Sequence, residues 1–319
     1  MSNIHEFAVP LWEQSVIEFG VTLVAAVTVS TGALYYFRRV RLERPPVGTF
    51  NGRDIGILLT LIIALPFLYA IMPGWLLTCF LAITFSAALS IGYRPVIGAR
   101  PVWLGLGVLL GANIWESHTM MGSVVGWQVW WIELDILVLL AAVAVANLYV
   151  QGGMRLQHVA WFGLALAIYD VLSTLVVNIT AKLVEEFIGA PLDPTFGMRV
   201  SVNNYGIGIG DLLFYALFVT ASYKAYGRAA ARVALSVMVV FGAAAPSLFP
   251  LIFALIDFRN DILIPSQLFF APAAFVCYLW MRHHYGRERT MAEYWASGDT
   301  ASGPAPVRQP DPAPEPASV

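Results

Sequence analysis

The chain has 319 residues, of which 59% are apolar and only 12% are charged, and its mean hydropathy is +0.72. Soluble globular domains carry roughly a quarter charged residues, so this composition predicts an all-α, polytopic membrane protein. The net charge is -2 and the basic residues are scattered between apolar runs, which gives no electrostatic footprint for nucleic acid. The composition therefore argues against a soluble enzyme and against a nucleic-acid partner, and it makes the lipid bilayer the first expected partner.

Nine apolar runs are long enough to cross about 30 Å of hydrocarbon as helices. Their limits are 18–37, 54–72, 74–93, 101–117, 127–149, 158–180, 206–226, 231–256 and 263–281. Residues 1–18 contain no Lys or Arg, and no small-residue cleavage site follows the first apolar run, so we expect this run to remain as a span. Residues 290–319 are poor in large apolar side chains and rich in Pro, Ser and Gly, which predicts a disordered tail after a membrane domain over 18–289.

The lysines and arginines predict the orientation of the chain in the membrane. Of the 18 basic residues, 15 lie in alternate connections and in the C-terminal tail, and only Lys182, Arg199 and Arg259 lie in the opposite set. Basic residues are retained on the cytoplasmic side of a membrane. We therefore expect a multi-pass cell-membrane protein with its N-terminus, residues 1–17, outside and its C-terminus in the cytoplasm.

Two carboxylates stand inside apolar runs, Asp170 in the sixth and Asp211 in the seventh. An ionisable group in hydrocarbon is costly, so an intramembrane aspartate is a functional-site hypothesis by default. At about 1.5 Å per residue, Asp211 lies roughly 8 Å below the outer end of its run and Asp170 roughly 15 Å below the outer end of its own. Neighbouring antiparallel helices can bring the two together.

Two carboxyl groups that share a site hold one proton between them near neutral pH, which makes an acid and a base together. The ionised group can activate water to attack an amide, while the protonated group donates to the oxyanion and then to the leaving nitrogen. Gly206, Gly208 and Gly210 precede Asp211 without side chains and allow another backbone to approach. The residues alone leave two alternatives open, namely helix packing for the glycines and a proton or ion pathway for the aspartates.

The residues around the aspartates carry a resemblance to a known family. They read Ala167-Ile168-Tyr169-Asp170-Val171-Leu172 and Gly208-Ile209-Gly210-Asp211-Leu212-Leu213-Phe214-Tyr215. A YD motif on the sixth of nine spans and a GxGD motif on the seventh resemble the intramembrane aspartyl proteases, the presenilin and signal peptide peptidase family, in a prokaryotic-type form. The resemblance implies a presenilin-like fold over residues 18–281, a catalytic pair formed by Asp170 and Asp211, and supporting roles for Tyr169, Gly208 and Gly210. It implies water as co-substrate and no metal or organic cofactor.

The family's third motif, Pro-Ala-Leu at the start of the ninth span, is altered in this chain. The corresponding residues are Ile264-Pro265-Ser266-Gln267-Leu268, in which Ser-Gln replaces Ala and moves Leu268 along by one position. Pro246-Ser247-Leu248 is closer in sequence to Pro-Ala-Leu, but it lies in the middle of the eighth span, where proline more often makes a kink. We therefore assign the motif to Pro265 and Leu268. In the family this segment supports the active site and substrate docking.

The expected activity is hydrolysis of peptide bonds in transmembrane helices or remnant signal peptides, because the predicted orientation is that of signal peptide peptidases. Glu133 and Asp135 on the fifth span lie at a depth similar to that of Asp211, but residues two apart on a helix do not share a face. We interpret them as outer-cavity or interfacial groups, and Glu116 as interfacial. The alternatives are a proton- or cation-coupled transporter or channel that uses the same aspartates, and a catalytically silent membrane scaffold. The sequence does not determine the oligomeric state.

Overall fold

The computed structural model of the chain describes residues 11–42, 50–177, 182–183, 186–187, 189–193, 197–199, 206–255 and 265–299. The described chain is mostly helical. Its helices are α1 (Leu11–Arg39), α2 (Gly52–Ile71), α3 (Gly74–Ile97), α4 (Ala99–Thr119), α5 (Val124–Gln151), α6 (Leu156–Val171), α7 (Ile209–Tyr226), α8 (Arg228–Val237), α9 (Ala245–Leu255), α10 (Gln267–Tyr285) and α11 (Met291–Ala296). A π-helical segment, Leu172–Val176, continues α6, and another, Met238–Ala244, joins α8 to α9.

The predicted all-α class is confirmed, and six stretches of the described chain are long and apolar enough to cross a membrane, which supports the prediction of a membrane protein. They are Ser15–Arg39, Gly52–Ile71, Gly74–Ile97, Val124–Gln151, Leu156–Thr174 and Arg228–Ile252. The other three predicted spans coincide with α4, α7 and α10, whose polar and charged residues lower their hydropathy. The count of nine spans therefore stays a prediction.

The α7 helix lies at the centre of the bundle and packs against α1, α5, α6 and α8. Its side chains are buried on almost every side, and Leu212, Phe214, Tyr215 and Phe218 belong to the core. A helix surrounded by protein does not need a lipid-facing apolar surface. This explains how α7 can carry Asp211 and still occupy the middle of a membrane domain.

Aromatic packing and one glycine hold α6, α7 and α10 together. The ring of Phe214 on α7 lies so close to Gly163 on α6 that a Cβ atom there would stand 2.3 Å from the ring. Phe270 on α10 packs against Phe214 and Tyr215, with ring centroids 5.2 and 5.0 Å apart. Trp161 on α6 contacts Phe275 on α10 at 4.7 Å. These contacts fix the three helices that carry the candidate site.

A short antiparallel ribbon precedes α7, so the prediction that the seventh helix begins at residue 206 is wrong at its first three residues. Strand β1 (Gly197–Arg199) pairs with β2 (Gly206–Gly208), with Gly197 opposite Gly208. Glycine is a poor helix former, and the ladder hydrogen bonds give these residues a better partner than a helical turn would. The sixth predicted span reaches residue 180, and its last residues, 178–180, lie outside the described chain.

The prediction of a disordered tail from residue 290 is wrong for residues 290–299. Helix α11 lies in this stretch, and its Tyr294 is fully buried against Phe37 of α1 and Tyr223 of α7. Burial of this one large aromatic ring anchors the segment, although the average composition of residues 290–319 is poor in apolar side chains. Residues 300–319 lie outside the described chain, as do residues 1–10 of the predicted N-terminal segment.

The start of α11 is held by a capping box. The Thr290 hydroxyl accepts a hydrogen bond from the Glu293 N–H, and the Glu293 carboxylate accepts one from the Thr290 N–H. The second of these bonds, together with the neighbouring Arg287 guanidinium, holds the pKa of Glu293 below its usual range. The guanidinium group of Arg289, two residues before α11, donates hydrogen bonds to the carbonyl oxygens of Tyr223, Lys224 and Ala225 at the end of α7.

Candidate active site

Asp170 occupies the last turn of α6, directly before the π-helical segment Leu172–Val176. Its side chain is half-buried, and Oδ1 lies 3.4 Å from the hydroxyl of Thr174, which donates to it. The hydroxyl of Ser173 donates to the backbone oxygen of Asp170 at 3.2 Å. Single-turn π segments frequently lie at functional sites because they turn side chains out of the α-helical register. The local geometry thus presents Asp170 at a break in the helix.

Asp211 occupies the first turn of α7 and is 7% exposed. The β2 strand leads directly into this turn, so the ribbon fixes the position of the helix start. A carboxylate in a first turn lies where unpaired backbone N–H groups and the helix dipole favour negative charge. The backbone of Gly208 also contacts this carboxylate. The predicted supporting glycines, Gly208 and Gly210, therefore flank Asp211 at the point where ribbon becomes helix.

The structure places the two aspartates at the same end of two neighbouring helices. The α6 and α7 helices pack against each other, with Asp170 in the last turn of α6 and Asp211 in the first turn of α7. Tyr169, the other residue of the YD motif, directly precedes Asp170 in α6 and is half-buried. Two carboxyl groups that share one site favour the retention of one proton between them.

Ser266 and Gln267 complete the site, and sequence reasoning missed them. Ser266 Oγ donates to Asp211 Oδ2 at 2.5 Å, and the Gln267 amide contacts the same carboxylate. From the sequence alone, both residues are only departures from the Pro-Ala-Leu motif. The signal that could have identified them is a hydroxyl and an amide at the start of an apolar run, next to a proline that fixes the backbone.

Pro265 is buried and directly precedes the two polar residues, so the preferred third-motif position does lie beside Asp211. Leu268 is 46% exposed and turns away from the core. The rival position, Pro246, lies within α9, where the Ser247 hydroxyl donates to the Ala243 carbonyl of its own chain segment at 2.8 Å. The role of Leu268 therefore stays a prediction.

A second group of acidic residues lies on α4 and α5. Glu116 is buried within the protein and lies close to Glu133, and its predicted interfacial depth stays a prediction. Asn113 Oδ1 accepts a hydrogen bond from the backbone N–H of Leu192 at 2.8 Å, which ties this group to the segment between α6 and α7. Asn113 Nδ2 and one oxygen of each glutamate are buried without a hydrogen-bond partner in the described chain. Asp135, half-buried on the same helix as Glu133, is also engaged in an interaction.

Within the residues that the structure describes, no three His, Cys, Asp or Glu side chains are arranged to hold a metal ion. A comparison with protein-family models finds no matching family, and a comparison with curated proteins finds no match. The family resemblance therefore rests on the motif residues of the sequence alone. The chemistry available at the site is that of one buried and one half-buried carboxyl group, a hydroxyl and an amide.

Proposed function

We propose that this protein is an intramembrane aspartyl endopeptidase of the presenilin and signal peptide peptidase type. The observation that carries the proposal is the placement of Asp170, in the last turn of α6, and Asp211, in the first turn of α7, at the same end of two helices that pack against each other. The hydrogen bond from Ser266 supports it, because an active carboxylate needs a fixed orientation. Buried, interacting ionisable residues are typical of functional sites.

The proposed reaction uses the pair as one acid and one base. The ionised carboxylate takes a proton from water as the water oxygen bonds to the carbonyl carbon of the scissile amide. The protonated carboxyl group donates to the developing oxyanion, and the tetrahedral intermediate then collapses with proton transfer to the leaving nitrogen as the C–N bond breaks. The pair titrates as a unit, so the two roles belong to the pair rather than to either residue.

The proposed substrates are transmembrane helices, including remnant signal peptides. The site lies between helices of a membrane domain, where a substrate must arrive through the bilayer, and no water-facing cleft is needed to admit it. The 15 basic residues in alternate connections and the tail favour a cytoplasmic C-terminus. In that orientation Asp170 and Asp211 stand in the outer half of the membrane.

A second candidate function, proton- or cation-coupled transport, is favoured by the group formed by Asn113, Glu116 and Glu133. Its buried atoms without partners can hold water or a proton. Intramembrane acidic residues are characteristic of proton relays. Transport would need these residues as well as the aspartates, whereas proteolysis needs only the aspartates.

The test is reconstitution of the purified full-length protein into vesicles with a fluorescently labelled transmembrane peptide and no ion gradient. Proteolysis predicts two peptide fragments, identified by mass, that accumulate with time. Transport predicts no fragments and a proton or cation flux that depends on an imposed gradient. Flux without cleavage would replace the protease proposal.

A further inference from the structure

A polar cavity of about 410 Å³ opens at the end of the bundle opposite Asp170 and Asp211. Arg155 lines it from the start of α6, Tyr226 from the end of α7, and Arg282 from the last turns of α10. Arg287 and Glu288, which follow α10, close one side. The cavity therefore lies where the three helices that carry the candidate site converge.

The single acidic group of the lining is already engaged. Glu288 accepts hydrogen bonds from the backbone N–H groups of Leu156 at 3.0 Å and Gln157 at 2.9 Å, so it caps the start of α6. Arg287 is paired with Glu293 outside the cavity. The only carboxylate of the lining is thus directed into a helix terminus instead of toward an arginine.

Two guanidinium groups of the lining form no close ion pair, although the Glu288 carboxylate is near enough to Arg282 to offset part of its charge. Within the described part of the chain, Arg155 and Arg282 have no ion-pair partner, and both side chains are exposed. Arg282 donates only to the hydroxyl of Tyr278, at 3.2 Å. Lys224, which is 1% exposed and donates to the Met154 carbonyl at 2.5 Å, adds a further positive charge behind the cavity. The cavity is therefore positively charged, with Gln157 and Thr290 as neutral hydrogen-bonding groups in its lining.

The aromatic residues near Arg282 indicate the depth of the cavity in the membrane. Trp280 and Tyr285 on α10 are 45% and 37% exposed. Exposed Trp and Tyr side chains at the end of a transmembrane helix are typical of the headgroup level. Arg282 lies between them in sequence, so the opening of the cavity is expected at the level of the lipid phosphates.

We propose that this cavity binds a phosphate group, held by the guanidinium groups of Arg155 and Arg282. Arginine matches phosphate geometry with two parallel hydrogen bonds, and basic pockets between transmembrane helices are suited to anionic headgroups. The phosphate of an anionic phospholipid and free inorganic phosphate are the two sources of this chemistry. A bound phosphate would link α6 to α10 at the end away from the aspartates. The proposal rests on the cavity alone and does not depend on protease activity.

The test uses the full-length protein in a neutral detergent and native mass spectrometry. The probes are phosphatidylglycerol, phosphatidylcholine and inorganic phosphate, each titrated separately. Hydrogen bonds to charged groups contribute about 1.5–3 kcal/mol, so Arg155→Gln and Arg282→Gln should each weaken phosphate binding about tenfold or more. Arg228→Gln is the matched control, because Arg228 is exposed at the same end of α7 and lies outside the cavity lining.

Preferential binding of phosphatidylglycerol over phosphatidylcholine, lost in both variants and kept in Arg228→Gln, supports the site with a lipid as its source. Saturable binding of inorganic phosphate with the same variant pattern supports the site with free phosphate as its source. The affinity of the parent protein for the anionic probes can also be measured at increasing salt, which requires no variant. Binding should weaken as the ionic strength rises. Binding by both variants at parental affinity, or no preference of the parent for either anionic probe over phosphatidylcholine, would overturn the proposal.

Discussion

The hydroxyl of Ser266 donates a hydrogen bond to Oδ2 of Asp211 over 2.5 Å and thereby joins the start of α10 to the first turn of α7. Ser266 follows Pro265, at the point where the chain departs from the Pro-Ala-Leu motif of the family that it resembles. The departure therefore places a hydrogen-bond donor on one of the two aspartates. In the proposed mechanism this bond orients Asp211 relative to Asp170 and the substrate.

Ser266→Ala should lower peptide-cleavage activity about tenfold or more, because a hydrogen bond to a charged group contributes about 1.5–3 kcal/mol. The loss should fall on kcat, with KM little changed, and Ser266→Thr should retain most of the activity because it keeps the hydroxyl. Ser236→Ala is the control, since the Ser236 hydroxyl bonds only to the Arg232 carbonyl of its own helix at 3.0 Å. Equal activity of Ser266→Ala and Ser236→Ala would show that the Ser266 hydroxyl does not contribute to peptide cleavage.

Gly163→Ala should destabilise the packing of α6 on α7. The added Cβ would lie 2.3 and 2.5 Å from two ring atoms of Phe214, and overpacking of this kind costs about 1–3 kcal/mol. A lower unfolding temperature, followed by tryptophan fluorescence in detergent, is the expected result. Adding Phe214→Leu should recover part of the loss.

The control for that experiment is Gly107→Ala on α4, where a Cβ atom would have no neighbour within 4 Å. Alanine is a better helix former than glycine by about 1 kcal/mol, so Gly107→Ala should keep or raise the unfolding temperature. Equal effects of the two substitutions would show that the α6–α7 contact is not close-packed as described.

Arg289→Ala should release the segment that contains α11. Its guanidinium donates to three carbonyl oxygens at the end of α7 and pairs with Asp299 at 2.6 Å, so its loss should cost about 2 kcal/mol or more. The neighbouring Arg287 has a side chain that is 78% exposed, and Arg287→Ala should change stability by less than about 0.5 kcal/mol. Chemical denaturation and limited proteolysis of residues 290–299 measure both. Similar protease sensitivity of the two variants would contradict the described role of Arg289.

Cysteine labelling in intact cells should establish the orientation. In a chain with Cys79 and Cys277 replaced by alanine, Gly122→Cys between α4 and α5 should react with a membrane-impermeant maleimide. Arg100→Cys at the start of α4 should react only after permeabilisation, because the basic connections are expected in the cytoplasm. The reverse labelling pattern would place Asp170 and Asp211 in the inner half of the bilayer.

The approximate positions of the helices could be predicted from the apolar runs along the chain, and the two aspartates could be singled out because they lie inside such runs. Long apolar runs require helices in a bilayer, and a carboxylate inside such a run is too costly to be incidental. Ser266 could not be assigned a role, because a serine at the start of an apolar run is also what a membrane interface accommodates. Its partner, Asp211, is 55 residues away in the chain, so only the packing of α10 on the bundle reveals the bond.

The C-terminal segment shows the same dependence on tertiary contacts. The average composition of residues 290–319 predicts disorder. It gives no sign that the ring of Tyr294 packs against Phe37 and Tyr223. The β2 strand likewise depends on its pairing with β1. Local propensity does not encode either contact, because each partner comes from elsewhere in the chain.

The central claim is that Asp170 and Asp211 act together in peptide-bond hydrolysis. The most direct measurement compares cleavage of a labelled transmembrane peptide in gradient-free vesicles by the parent, Asp170→Asn, Asp211→Asn and Glu133→Gln. General acid–base catalysis contributes about 10²–10⁴-fold, so each Asn variant should lose about 100-fold or more of the parental rate while keeping its unfolding temperature. Glu133→Gln should stay within about twofold of the parent, since Glu133 belongs to the separate acidic group on α4 and α5 and not to the proposed catalytic pair. Cleavage by Asp211→Asn at the parental rate would contradict the account.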